Sequence, residues 1–244
     1  KPVFAVYSTF LQRAVDGVIH DVCLQKLPVV FCLDRAGVVG EDGPTHHGVF
    51  DIPLLASIPN LTIMQPGDEA ELGDMLFAAV ELGKPAVIRY PRGQGPGVVC
   101  GDKREKLEIG RAKVVKNPET DGRKVWIWAL GDMLPLADET ASALEKEGIG
   151  AGVVNARFIR PLDIQLLKSQ FSDTSVFVTM ENGALSGGFG SIVIRELNDM
   201  RYKGSVVTIG WPDEFIPQGN VKILKKKFGM DSASIVEKVK KSIE

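Results

Sequence analysis

Short, dense apolar runs alternate along the chain with longer stretches in which apolar residues recur at helical spacing. The dense runs fall at 3–7, 28–33, 61–64, 86–89, 124–130, 151–155, 176–180 and 206–209. Runs such as Val29-Val30-Phe31-Cys32-Leu33 show no polar alternation, so they predict strands buried on both faces of a parallel sheet. After the first run, Phe10, Leu11, Ala14, Val15, Val18, Ile19, Val22 and Cys23 keep helical spacing to about Gln25. That stripe predicts a helix with its apolar face in the core, capped by Ser8 or Thr9. Residues 51–58 predict a short helix. Asp68 followed three positions on by Glu71 reads as a capping box for a helix ending near Gly83. Further helices are predicted at 134–147, closed by Gly148, at 163–169, capped by Asp163, and at 191–200. Two Lys-rich helices with one solvated side follow at about 221–228 and 232–243.

This alternation predicts an α/β protein with two doubly wound sheets, the first mostly parallel, and helices on both faces. Between 93 and 122 the composition shifts to Gly95-Pro96-Gly97, Asp102-Lys103-Arg104-Glu105-Lys106 and Asn117-Pro118-Glu119-Thr120-Asp121-Gly122, with one short strand at 112–115. The expected organisation is a first domain over 1–97, a connector over 98–122 and a second domain over 123–244. The chain enters directly into a strand expected to be buried. The first sheet therefore reads as incomplete at its beginning, and the chain as the later part of something longer.

Composition narrows the classes of function. The 244 residues carry a formal net charge of -2, which points away from nucleic acid and anionic membranes as partners. No apolar run reaches the roughly 20 residues of a membrane-spanning helix. Cys23, Cys32 and Cys100 are odd in number and widely spaced, which suits a reducing compartment and gives no metal-ligand pattern.

The densest chemistry lies in Asp34-Arg35-Ala36-Gly37-Val38-Val39-Gly40-Glu41-Asp42-Gly43-Pro44-Thr45-His46-His47-Gly48. It follows a buried strand, and ligands of open α/β sheets bind outside the carboxyl ends of the strands. Arg13 stands in a first helical turn against the dipole preference, where either an anionic ligand or plain solvation accounts for it. Phe10 beside it suits the core or a flat ligand ring. Arg92, between Pro91 and Gly93 at a strand's end, is either a forked phosphate ligand or a turn arginine in water. Gly187-Gly188-Phe189-Gly190 lacks the spacing of a nucleotide loop and reads as a tight turn where a helix packs close to a strand. Gly131-Asp132 reads as a turn with a helix cap.

Taken in order, Tyr7-Ser8-Thr9-Phe10-Leu11-Gln12-Arg13, Asp34-Arg35-Ala36-Gly37, Gly40-Glu41-Asp42-Gly43-Pro44-Thr45-His46, Arg89-Tyr90-Pro91-Arg92-Gly93 and Phe215-Ile216-Pro217-Gln218-Gly219 resemble the 1-deoxy-D-xylulose-5-phosphate synthases. The GEDGPTH segment is shared with the wider transketolase family; YSTFLQR, DRAG and RYPRG together point to the synthases. The resemblance covers essentially the whole chain. It implies a thiamine diphosphate pyrimidine-binding domain followed by a transketolase C-terminal domain. It also implies a reaction that joins pyruvate, with loss of CO2, to glyceraldehyde 3-phosphate, giving an isoprenoid precursor that bacteria also use for thiamine and pyridoxal.

By position in the motifs, the resemblance puts Phe10 on the cofactor's aminopyrimidine ring and Tyr7 and Arg13 beside the substrates. It puts Arg35 and Arg92 on the acceptor phosphate, and Asp42 and His46 at the reacting hydroxyl and carbonyl oxygens. His47 receives no role. The glutamate that activates the pyrimidine would precede Lys1. The Gly-Asp-Gly…Asn motif for Mg2+ and the diphosphate would lie in a preceding domain, the missing partner of this chain. The chain alone is therefore expected to be inactive. The family also implies a homodimer, in the bacterial cytoplasm or in the plastid of a plant or alga. Two alternatives remain: a β-type subunit of a 2-oxoacid dehydrogenase or split transketolase, and a non-catalytic interaction module.

Overall fold

The computed structural model describes residues 1–101, 103–119, 122 and 124–243. Residues 102, 120 and 121 of the predicted connector, and 123 at the start of the predicted second domain, lie outside the described residues. Among the described residues, the first sheet has the order β1 (Val3–Tyr7), β2 (Val30–Asp34), β4 (Ala86–Arg89), β3 (Thr62–Met64), β8 (Phe158–Arg160). All its pairs are parallel except β3 with β8. The second has the order β10 (Ser205–Trp211), β9 (Thr174–Ala184), β6 (Lys124–Ala129), β7 (Gly150–Asn155), β5 (Lys113–Lys116), parallel except for β5 with β7. The predicted fold class is the observed one.

Local signals hold where they are short-range. Asp68 accepts from the Glu71 N–H at the start of α4 (Glu69–Leu82), and Gly83 ends it at φ 63°. The Glu71 carboxylate answers one residue early, accepting from the Gly67 N–H at 2.6 Å. Asp163 caps α6 (Ile164–Gln170) as expected. Phe189 and Gly190 open α7 (Phe189–Asp199), and a Cβ on Gly190 would stand 2.8 Å from Thr179 Oγ1 and 2.9 Å from Thr208 Cγ2. The glycine turn thus serves close packing of a helix on β9 and β10.

Several expectations fail. The helical stretch after β1 is not regular. It passes from α1 (Ser8–Leu11) through a 3-10 turn and α2 (Val15–Gly17) into a π-helical turn at Val18–Cys23. Tyr7, not Ser8 or Thr9, holds the cap position, without a side-chain bond. Phe10, Ala14 and Ile19 face outward, because the changing helical pitch rotates them off the stripe that buries Leu11, Val18 and Cys23. β1 is an edge strand, so Val3 and Phe4 are about half exposed, at 49% each. β8, from the second half of the chain, was not foreseen.

The two halves share a core. Phe31, Leu33, Ile63 and Val87 of the first sheet pack in one cluster with Trp128 and Phe177 of the second and Phe189 of α7. A second cluster lies between the second sheet, α5 (Leu134–Lys146) and α9 (Ser232–Ile243), the latter following α8 (Val221–Lys227). Among the described residues no helix is long and apolar enough to cross a membrane.

Candidate active site

The carboxyl ends of β1, β2 and β4 meet at one edge of the first sheet. β2 and β4 are neighbours, but the chain runs from β2 out to β3 before returning to β4, which creates the crevice where α/β sheets bind ligands. The Ala36 N–H donates to the Tyr90 carbonyl at 3.0 Å, tying the loop after β2 to the loop after β4. Gly37 and Gly48 exchange hydrogen bonds of 2.7 and 2.8 Å, closing loop 37–48 at its base. A Cβ on Gly48 would fall 2.3 Å from the Arg35 carbonyl and 2.6 Å from Ser8 Oγ, so only glycine fits. Arg35 itself sits at φ 60°, a left-handed conformation costing a non-glycine residue about 1 kcal/mol, and its N–H is held by Asp34 Oδ1 at 2.6 Å.

This loop brings six of the seven predicted site residues together. The Arg35 guanidinium lies over the Tyr7 ring, 4.2 Å from its centroid, and is ion-paired with Asp42. Arg92 Nη1 lies 3.7 Å from the same Asp42 carboxylate. The Phe10 ring packs between Tyr7 and His46, at centroid distances of 5.2 and 5.8 Å, and is 53% exposed. His46 Nδ1 is 2.9 Å from Thr45 Oγ1. Arg13, exposed on the 3-10 turn, stands outside this contact group. The crevice therefore offers two forked cations balanced by one carboxylate, with an open aromatic face and an imidazole next to it.

The second half of the chain holds this loop from behind. His47 is buried, accepts from the Val39 N–H at Nδ1 (3.2 Å) and donates from Nε2 to the Pro217 carbonyl (3.3 Å). Burial pulls its pKa below the ordinary 6.5, which keeps the ring neutral with one donor and one acceptor. Gln218 Nε2 donates to the Glu41 carbonyl at 2.8 Å, and the Gly219 N–H to the Gly40 carbonyl at 3.3 Å. Asn182 on β9 accepts from the Val38 N–H at 3.0 Å.

Beneath the crevice runs a buried polar network. Arg89 donates to Asp51 at 2.9 Å, to Gln65 Oε1, and to the Asn182 carbonyl at 3.0 Å. Asp132 accepts from Gln65 at 3.2 Å and from Asn182 at 2.8 Å and lies 3.5 Å from Lys225. It joins the two sheets and does not cap a helix, contrary to the sequence expectation.

Glu181 accepts from the Phe189 and Gly190 N–H groups at 2.8 Å each. Burial outweighs these donors and raises its pKa from 4.5 to about 7. A carboxyl whose pKa rises on folding contributes stability that is complete below about 4.5 and lost as the pH climbs through about 7. Glu181→Gln is therefore expected to lower Tm overall, since one N–H loses its acceptor, yet flatten its decline between about pH 5 and 8. A Tm-against-pH slope equal to that of the wild type would refute the assignment.

Two family models match the chain. Residues 1–97 match the transketolase pyrimidine binding domain, and residues 112–235 the transketolase C-terminal domain. Among solved structures, a chain described as a split gene transketolase in an inactive β4 tetramer superposes with a TM-score of 0.86 at 31% identity, over 99% of this chain and 76% of that one. This chain belongs to the transketolase family. Within the family it resembles 1-deoxy-D-xylulose-5-phosphate synthases. It is 50% identical to that of Methylacidiphilum infernorum over 97% of this chain, and 48% identical to that of Acidobacterium capsulatum over 98%. It spans 37% and 38% of the length of these two relatives.

Members of this family with a pyrimidine-binding domain imply thiamine diphosphate. The half-exposed Phe10 ring, open to a second flat ring, fits the pyrimidine end of that group. Among the described residues no group of three or more His, Cys, Asp or Glu side chains is placed to hold a metal ion. The transketolase motifs located the crevice but not its supports. Arg89 carried the one available signal, a cation ending an apolar strand. Asp51, Gln65, Asn182 and His47 carried none that local spacing reveals.

Proposed function

We propose that this chain is the pyrimidine-binding and C-terminal portion, residues 1–97 and 123–244, of a 1-deoxy-D-xylulose-5-phosphate synthase. The reaction joins pyruvate and glyceraldehyde 3-phosphate with loss of CO2 and feeds isoprenoid synthesis. The reading is carried by the pairing of Arg35 and Arg92 around one carboxylate beside an exposed Phe10, on a chain half identical to such synthases. Thiamine diphosphate, with Mg2+ held mainly by a preceding domain, supplies the carbanion chemistry. Phe10 packs on its pyrimidine. Arg35 and Arg92 bind the acceptor phosphate as two forks on one dianion. The phosphate takes the place of Asp42 on the arginines, which frees that carboxylate for a substrate hydroxyl. His46 accepts or returns a proton near neutral pH. Tyr7, stacked under Arg35, walls the acceptor side together with Arg13. The working form is a cytoplasmic homodimer.

The test is acceptor kinetics in the complete enzyme. Arg35→Ala and Arg92→Ala are each expected to raise KM for glyceraldehyde 3-phosphate by about 10- to 100-fold, the value of a charged hydrogen-bond partner. Unchanged KM in both removes the phosphate assignment. The verified 244-residue chain alone is expected to show no turnover. A split-transketolase half is the second reading, favoured by the split-gene neighbour; turnover that needs no pyruvate and releases no CO2 would select it.

A further inference from the structure

We infer that Asn182 is the positioning residue of the two-arginine crevice, holding in place the backbone that links Arg35 to Arg92. The inference rests on the phosphate-site reading above.

The Asn182 amide is buried, at 2% exposure, and its orientation is fixed by its neighbours. Its Oδ1 accepts from the Trp211 indole N–H at 2.8 Å and from the Val38 N–H at 3.0 Å. Its Nδ2 donates to Asp132 Oδ2 at 2.8 Å. An indole only donates and a carboxylate only accepts, so the amide has one way round. Gly37, at φ 80°, makes room for it: a Cβ there would stand 2.2 Å from Asn182 Cγ.

The position of the bond on the loop gives it its consequence. Val38 follows Arg35 by three residues. Val39, the next residue, offers its carbonyl to Arg92 Nη1 at 3.5 Å and its N–H to His47. One amide from the second sheet thus pins the strip of backbone between the two cations, while the backbone carbonyl of the same residue receives Arg89 from β4, the strand that leads to Arg92. Without the acceptor, the Val38 N–H is left buried and unpaired, and the loop must shift to find a partner. The spacing of the two guanidinium forks then changes, although neither arginine has been touched.

Asn182→Leu removes the acceptor. Asn182→Asp keeps it but sets a carboxylate against Asp132. The double exchange N182D/D132N restores an acceptor for Val38 and Trp211 and an amide–carboxylate pair of reversed polarity. Inorganic phosphate titrated into the complete enzyme is the probe, with hydrogen exchange of the Val38 amide as a second readout. Asn182→Leu is expected to weaken phosphate binding about tenfold, the upper range for one hydrogen bond, and to strip Val38 of protection; Asn182→Asp, which still offers Val38 an acceptor, is expected to weaken binding through repulsion by Asp132 while Val38 keeps its protection. The double exchange is expected to return affinity to within about twofold of wild type. Trp128→Phe, which loses the indole bond to Gln170 and shrinks a buried core ring, is expected to cost stability and leave phosphate affinity unchanged.

A purely structural role would lower Tm in the Asn182 variants without changing affinity, and that result overturns the inference while leaving the phosphate site standing, provided Arg35→Ala has lost binding. Retained Val38 protection in Asn182→Leu overturns it as well. If wild type fails to bind phosphate, or Arg35→Ala binds it equally well, the phosphate reading itself fails and the inference falls with it.

Discussion

Replacing Arg89 by methionine is expected to lower the stability of the chain by about 3–5 kcal/mol in a urea titration at neutral pH. Arg89 is 1% exposed and Asp51 3% exposed, and their ion pair of 2.9 Å lies where water cannot replace either partner. Methionine keeps most of the aliphatic stem but leaves the Asp51 carboxylate in a low-dielectric interior without a cation. It also strips a donor from Gln65 Oε1 and another from the Asn182 carbonyl. Those losses, more than any intrinsic strength of the pair, set the size of the effect. Adding Asp51→Asn to Arg89→Met should therefore recover part of the loss, because it removes the orphaned charge. A single substitution costing less than about 1 kcal/mol would mean the pair is solvated and the network dispensable.

The same network marks the limit of what the sequence could tell. The loop at 34–48 was legible because its arginine, carboxylates and histidines are adjacent in the chain and follow a strand whose apolar run betrays a parallel sheet. The caps at Asp68 and Asp163 were legible because their partners lie three residues away. Arg89 meets Gln65 across 24 residues and Asn182 across 93, and Val38 meets Asn182 across 144. No periodicity records such separations. The stripe from Phe10 to Cys23 was over-read for a related reason: spacing shows which residues share a face of an ideal helix, and this segment is not ideal. Its 3-10 and π turns break the ideal phase, and Phe10 stands outward beside Tyr7 and His46. Phe10 was ambiguous between core and ligand face, and its exposure takes it out of the core.

Phe158→Ala should be nearly as costly as the loss of Arg89, at about 3–5 kcal/mol, and its effect should fall on the half of the chain to which Phe158 does not belong in sequence. β8 leaves the second sheet region, pairs antiparallel with β3 through Met64↔Phe158, and buries the Phe158 ring completely among Val30, Met64, Met75 and Ile88. Polar contacts tie the same segment down. The Arg157 carbonyl accepts from the Gln65 N–H at 2.8 Å, Arg157 Nε bonds Glu71 at 2.6 Å, and Arg160 Nη1 donates to the Ala56 carbonyl at 2.6 Å. Three residues with a proline after them, paired to a strand almost a hundred positions earlier, gave no strand signal. They nonetheless make the first sheet depend on the second half of the chain. With Phe158 truncated, amides of β2, β3 and β4 should lose hydrogen-exchange protection well before those of β6 and β9, and one thermal transition should become two. Equal loss of protection in both sheets would mean that the shared core through Trp128 and Phe177, not β8, couples the two halves.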